Sequence, residues 1–334
     1  VLKTKKQSKQ PKSMLHLKDE KGLDLELVNG NGSPFDFTVR KEPVEYWKDG
    51  ELKDSSDSQV QLVDNNDKLL HVVGSNYGIV QPNRFVSMIT DSLEGINFLI
   101  DSVMSFSNRC KQVVSIKLED ETVEVKKGDH IQANLIFLNS FDGSWRTSVT
   151  DSITRLWCLN QLNHLRNSSV LNLTAKHTVN VCDKLYGIQQ AVATLAVSRQ
   201  GAIKTLVESM DYSLSLSQAN NLIAGFLNST STRAENTRES IVSLFSRGIE
   251  NKGDNLYDLF NGVTEYYTHH AVGENVKNRE EKQLISSQFG TGGKKKSDFF
   301  NALRVKGELS NEAIDSLANK GERLIKDREL IKVS

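Results

Sequence analysis

Apolar residues in the first part of the chain alternate with polar ones in short runs. Later they recur at every third or fourth position, a change from strand to helix periodicity. Leu23, Leu25 and Leu27, then Phe35, Phe37 and Val39, follow the alternating pattern, and Asn29-Gly30-Asn31-Gly32 between them supplies turn residues. Short strands and acidic loops are predicted there. Leu70 to Val80 predicts another strand pair, turning around Gly74 to Asn76. From Pro82 the spacing of Phe85, Met88, Ile89, Leu93 and Ile96 becomes helical.

The centre predicts an antiparallel meander. Val113 to Leu118 is rich in β-branched residues and Thr122 to Val125 continues it. Lys127-Gly128-Asp129 turns into His130 to Leu138, where Ile131, Ala133, Leu135 and Phe137 alternate. Asp142-Gly143 gives a second hairpin signal ahead of Trp145 to Val149. Lys117, Asn134 and Arg146 would fall on an outer, polar face. Leu156, Leu159, Leu162 and Leu165 favour a helix, while Ile153 to Cys158 equally suits a last strand.

Beyond Thr178 a long helix is expected, with Val181, Leu185, Ile188, Val192, Leu195, Ile203, Leu206 and Met210 on one stripe and Gly201 as a site for a kink. Helical spacing resumes after Ser215 and runs toward Ile331, and only 4 prolines interrupt the chain. The fold class is therefore α+β: an antiparallel β-meander followed by a long helix, a β-β-β-α core, with a largely helical C-terminal half. The expected division is a basic flexible arm over 1–21, an α+β core domain over 22–210 and a helical region over 211–334.

Composition changes this picture little, but charge does. The 334 residues carry 42 Lys plus Arg against 42 Asp plus Glu. A net charge of zero excludes a uniformly basic nucleic-acid coat. The charge is nevertheless segregated: residues 1–21 hold 7 Lys and 2 acids, 42–70 hold 8 acids and 3 Lys, and 277–306 hold 8 Lys or Arg and 3 acids. A local basic groove beside acidic surface remains compatible with the total. Three cysteines without a CxxC pair argue against a disulfide framework or zinc knuckle, and predict a reducing compartment. No apolar run reaches the length of a membrane span. No export leader is expected at the N-terminus, and a start at Val1 leads to the expectation that residues precede it naturally.

Candidate chemistry is sparse. Gln288 to Ser297 resembles a phosphate loop, yet Gln288 stands where its first glycine belongs and Lys295 where Ser or Thr belongs. A solvated loop opening a helix over 297–303 and a basic clamp on a nucleic-acid backbone are the two readings left. Glu265, His269 and His270 lie about one helical turn apart but lack further ligands, so no metal and no cofactor is expected. Cys158 and His177 could pose as thiol and base, whereas a cysteine between Trp157 and Leu159 also suits simple burial. No catalytic residue is assigned, and a non-enzymatic protein is expected.

Trp145 next to Arg146 offers stacking plus charge, the combination that holds single-stranded nucleic acid. Trp145 as a core residue of its hairpin fits equally well. Arg155, Lys176, Lys184, Arg199 and Lys204 add positive charge near the meander and long helix, and Lys294, Lys295 and Lys296 add a basic run. These ten residues form the candidate nucleic-acid-binding set.

Several segments taken together carry a family resemblance. Tyr77-Gly-Ile-Val-Gln81, Leu138-Asn-Ser-Phe-Asp-Gly-Ser144, Arg155-Leu-Trp-Cys-Leu-Asn160, His177-Thr-Val-Asn180 and Asn255 to Tyr266, with Gly290 and Lys294 to Lys296, resemble the phage/plasmid-like family labelled domain of unknown function nine-three-two. The resemblance covers about Leu70 to Leu303. It implies a protein of a bacteriophage, plasmid or prophage, acting in the cytoplasm of a bacterial host. The order of meander and long helix also resembles, more loosely, the core of ring-forming single-strand annealing proteins of recombination. That analogy implies ATP-independent binding of single-stranded DNA by a homo-oligomer. The alternative is a non-enzymatic protein-interaction or structural module of a mobile element, meeting a host or phage protein through its acidic segment Glu42 to Asp67.

Overall fold

A computed structural model describes residues 33–55, 57–155, 160–162, 174–248, 251–288 and 290–333. The protein is α+β, with antiparallel sheets early and helices dominating the C-terminal half. It divides into two compact units by internal contact. The first comprises 1–119, 135–150 and 170–193; the second comprises 120–134, 151–169 and 194–334.

In the first unit, β1 (Val39–Pro43), β4 (Gln59–Asp64) and β5 (Leu69–Gly74) form an antiparallel sheet in the order β1-β4-β5. Between β1 and β4 the chain runs out as a second hairpin, β2 (Glu45–Lys48) with β3 (Glu51–Asp54). Helix α1 (Pro82–Ser92) starts at a proline, whose missing N–H costs nothing in a first turn. It buries Phe85, Val86, Met88 and Ile89, so the predicted helical stripe is present. The core of the small sheet gathers Phe37, Val39, Val60, Leu62, Leu70, Val73, Cys110 and Phe141. Phe37 meets Phe141 edge-on at 5.8 Å, a favoured aromatic geometry. The second half of the strand pair expected around Gly74 does not form: Gly78 to Val80 is irregular backbone bonded elsewhere, as shown below.

The central sheet is larger than the expected three-stranded meander. It runs β10-β9-β8-β7-β6, with β11 added on β9: β6 (Phe98–Phe106), β7 (Lys111–Lys126), β8 (Asp129–Ser140), β9 (Thr147–Arg155), β10 (Asn160–Leu162) and β11 (Thr174–Ala175). The two predicted runs 113–118 and 122–125 are one 16-residue strand. Gly128, at φ +80°, makes the turn into β8, and Gly143, at φ +69°, shapes the next one, both as their Gly-containing turns predict. Strand β6 went unread because its apolar residues are scattered among Asp101, Ser102 and Ser105.

Helix α2 (Val181–Glu208) matches the expected long helix, and Val181, Leu185, Ile188, Val192, Leu195 and Leu206 are buried as its stripe requires. In the second unit follow α3 (Leu216–Leu227), α4 (Thr232–Arg247), α5 (Leu256–Glu265), a π-helical turn (Tyr266–His270), α6 (Arg279–Gln288), α7 (Thr291–Ala302), the short pair β12 (Arg304–Val305) and β13 (Glu308–Leu309), and α8 (Asn311–Val333). Ser215 and Gln218 cap α3 reciprocally, a capping box. Helix α5 is buried along its whole length, and Phe260 packs against Phe299 and Phe300 of α7. Helices α3 and α8 approach so closely that a Cβ on Gly225 would lie 2.0 Å from the Leu317 carbonyl oxygen. One on Gly321 would lie 1.8 Å from that of Asn221.

The expected arm over 1–21 and the leucine and Asn-Gly segments up to residue 32 lie outside the described residues, as do Leu156 to Leu159 and Leu165.

Candidate functional site

Three of the segments that carry the family resemblance converge in the first unit. Gly78 and His177 are joined twice: the Gly78 N–H donates to the His177 carbonyl at 3.3 Å, and His177 Nδ1 lies 2.9 Å from the Gly78 carbonyl. Tyr77 stacks on the imidazole with ring centroids 4.8 Å apart and an interplanar angle of 8°. Its hydroxyl donates to the Ser140 carbonyl at 2.8 Å. A Cβ on Gly78 would stand 1.9 Å from the Thr178 carbonyl oxygen, so glycine is required by the close approach of two backbones.

From His177 a chain of polar side chains runs into the interior. His177 Nε2 is 3.4 Å from Thr147 Oγ1; Thr147 donates to Asn139 Oδ1 at 2.9 Å; Asn139 Nδ2 donates to Gln112 Oε1 at 2.9 Å and to the Val80 carbonyl at 3.2 Å. Gln112, Asn139 and Thr147 are fully buried. Gln81 adds a bidentate clasp, donating to the Val39 carbonyl and accepting the Val39 N–H. These contacts satisfy backbone groups of an irregular loop that has no strand partner to do so.

The protonation states fit a structural network. Burial lowers the pKa of His177 from 6.5 against the opposing bond to Gly78, which keeps the ring neutral. Burial pushes the Tyr77 phenol far up, and pushes the Cys110 thiol up to about 11, so both stay protonated at neutral pH. Burial would raise Asp142 too, but the bonds from Lys111 and Ser144 outweigh it and hold the carboxylate below its usual range.

Asp142 leads to the rim of the cluster. Lys111 Nζ is 2.5 Å from Asp142 Oδ2 and lies over the Trp145 ring, 5.4 Å from its centroid. Trp145 is half-buried and Arg146 exposed. Strand β11 pairs with β9 so that Ala175 faces Thr147 and Thr174 faces Ser148. The positions next beyond that ladder are Arg146 and Lys176, both exposed. Lys184, also exposed, donates to Thr178 Oγ1 at 3.0 Å. The indole thus carries Lys111 over its ring, while Arg146 and Lys176 stand at one end of the β9–β11 ladder. Lys111 escaped the sequence reading, as did the Gln112–Asn139–Thr147 network, because a polar residue inside a strand gives no sign of which buried partner it will meet.

The second unit receives the remaining expected residues, in different surroundings. Arg155 lies at the end of β9, with its side chain outside the described residues. Arg199 is 5% exposed and its guanidinium is 3.2 Å from Asp151 Oδ2. Lys296 is 1% exposed and donates to Thr268 Oγ1 at 3.2 Å. Burial removes both from any surface set. Lys204 is exposed between Glu208 and Glu308, at 3.5 and 3.4 Å, and these carboxylates raise its pKa. Lys294 is exposed, while Lys295 lies half-buried over the Phe226 ring.

The glycine-rich run is not a loop. Helix α7 begins at Thr291, and a Cβ on Gly292 would come within 3.1 Å of the Ser286 and Tyr267 carbonyl oxygens. The glycines therefore allow close helix packing. The last resemblance segment forms α5, where Asn255 caps the helix by accepting the Asp258 N–H. Asp258 itself accepts the N–H groups of Lys252 and Gly253, with Lys126 Nζ 3.5 Å away. Glu265 is buried at the end of α5 and His270 is exposed. Among the described residues no group of three or more His, Cys, Asp or Glu is placed to hold a metal ion. Cys158, half of the thiol–imidazole pairing, lies outside the described residues. No described helix is long and apolar enough to cross a membrane.

Fold and site together define an α+β protein whose motif residues build a buried polar clasp, with Lys111 over the Trp145 ring and exposed cations at Arg146 and Lys176. The family model described as Domain of unknown function (DUF932) matches residues 69–288, more than half of the chain, and the chain belongs to that family. Neither a curated protein nor a solved structure matches it.

Proposed function

We propose that the protein is a non-enzymatic DNA-binding protein of a bacteriophage or plasmid. It binds single-stranded DNA, and anneals it without ATP during recombination or replication, in the cytoplasm of a bacterial host. The observation that carries this reading is the rim of the first unit. Arg146 and Lys176 stand beyond one end of the β9–β11 ladder, and Arg146 follows Trp145, whose ring lies under Lys111. An indole supplies a stacking surface of about 1 to 3 kcal/mol per base, and neighbouring cations neutralise phosphates. Lys111 is itself paired with Asp142, so Arg146, Lys176 and Lys184 carry the phosphate role.

Fluorescence anisotropy with a labelled oligothymidine tests the reading. Micromolar protein is expected to bind at low ionic strength, with affinity falling steeply as salt rises. The pair Arg146→Glu and Lys176→Glu is expected to weaken binding at least about tenfold and to flatten the salt slope by about 1.4, as losing two single-strand phosphate contacts would. Trp145→Ala should cost about tenfold at unchanged slope. A protein that gives no salt-sensitive shift at low ionic strength sinks the proposal.

A protein-interaction or structural module is the second reading, favoured by the exposure of Trp47, Tyr46 and Leu52 within the acidic early segment.

A further inference from the structure

The β2–β3 hairpin has no buried residue: all eight positions are exposed, with Trp47 at 75%, Leu52 at 50% and Tyr46 at 46%. Asp49 and Gly50 turn it, both with positive φ (54° and 80°), as a two-residue hairpin loop of the I′ kind requires. An isolated two-stranded hairpin is marginal in water, and large apolar side chains clustered on a surface mark interaction sites.

The register sorts its side chains. Glu45 faces Asp54 and Trp47 faces Leu52, which puts these four on one face; Tyr46 faces Lys53 and Lys48 faces Glu51 on the other. The first face is an apolar pair next to the turn, with two acids on the row beyond it. The second is an aromatic ring flanked by two lysines, one of them 2.6 Å from Glu51. Each face therefore offers what the other calls for: apolar surface beside charge of opposite net sign, two acids on the first face against two lysines and Glu51 on the second. A foreign partner would need only one such face, whereas both halves of a complementary pair stand back to back on this hairpin.

We propose that the hairpin is a contact between copies of this chain, the Glu45–Trp47–Leu52–Asp54 face of one copy packing on the Tyr46–Lys48–Lys53 face of the next. Such a contact is head-to-tail, so it leaves one face of each kind unused and continues into a ring or an open filament. Four side chains a side make a contact small beside the roughly 800 Å² per partner of standard stable complexes, so association is expected to be weak and concentration-dependent.

Sedimentation equilibrium of the full chain without DNA, from about 1 to 100 µM, tests this. The average mass should rise with concentration. Glu45→Lys with Asp54→Lys, and separately Lys48→Glu with Lys53→Glu, should each weaken association at least about tenfold, as should Trp47→Ser. All four charge changes together should restore it to within about threefold. Circular dichroism should be unchanged throughout, since every altered side chain is exposed. A monomer at all concentrations, variants that associate like the parent, or a four-fold variant that stays dissociated would each overturn the proposal. Because no DNA is present and Arg146 and Lys176 are untouched, failure here is distinct from failure of the DNA-binding reading.

Discussion

Gly78 and His177 bond to each other in both directions, N–H to carbonyl and carbonyl to imidazole, although 99 residues of chain separate them. The irregular segment after β5 is thereby tied to the segment that enters α2, with the Tyr77 ring lying flat on the imidazole. Backbone groups that no strand satisfies are satisfied by this one clasp.

Gly78→Ala should break it. The added methyl would fall 1.9 Å from the Thr178 carbonyl oxygen, backbone that cannot swing away as a flexible side chain would. Overpacking and two lost hydrogen bonds together predict a loss of about 3 kcal/mol. Thermal and urea denaturation would measure it, and a melting temperature equal to the parent's would contradict the clasp.

The same residue makes stability depend on pH. His177 has a folded pKa below 6.5, because burial disfavours the imidazolium more than the Gly78 bond favours it. The unfolded chain therefore takes up the proton first as pH falls. This contribution is fully present above 6.5 and is lost as pH drops through the lower folded pKa. Melting temperature should decline between about pH 7 and 5 in the parent and decline less steeply in His177→Asn. Equal slopes in the two proteins would refute this.

Arg199 and Asp151 form an ion pair inside the second unit, their side chains 6% and 0% exposed. Removing one partner of such a pair strands the other charge in a medium that solvates it poorly, so Arg199→Ala should cost about 3 to 5 kcal/mol. Replacing both, Arg199→Met with Asp151→Leu, should recover much of that loss. Chemical denaturation of Arg199→Met, Asp151→Leu and their double variant gives the coupling; additive losses would argue against a buried pair.

Lengthening either glycine at the α3–α8 crossing should force the helices apart. Gly225→Ala and Gly321→Ala are each expected to destabilise by about 1 to 3 kcal/mol or more, since each Cβ would meet a carbonyl oxygen at 2.0 Å or less. Combining them should cost less than the sum, because the first substitution already separates the helices. Full additivity in denaturation would count against that picture.

Much of the fold is legible from periodicity. The stripe from Val181 to Leu206, the Gly128 and Gly143 turns and the start of α3 after Ser215 all follow from local rules that act within a few residues. Strand β6 is not legible, since Asp101, Ser102 and Ser105 break up the alternation of its apolar residues. The glycines before Lys294 mislead: in sequence they suggest a loop, while in space they are where the chain must pass close to the Ser286 and Tyr267 carbonyl groups. The site is readable only in part. Trp145 and Arg146 are adjacent in sequence, but Lys176 joins them through a two-residue strand, and Lys111 through an ion pair with Asp142. Arg199 and Lys296 show the reverse error, because a cation in a sequence gives no sign of a carboxylate or hydroxyl waiting in the interior.

Helix α8 begins at Asn311, beyond the last residue that the family match reaches, yet Gly321 on it presses against Asn221 and Gly225 within the matched span. The span matched by the family model therefore ends short of a helix that its own residues pack against. A fragment cut at residue 288 would uncover the glycine face of α3 and the apolar surface that Ile314 and Leu317 cover, leaving a sticky, half-built unit. Any relative that ends near that residue must cover the same helix face with something else.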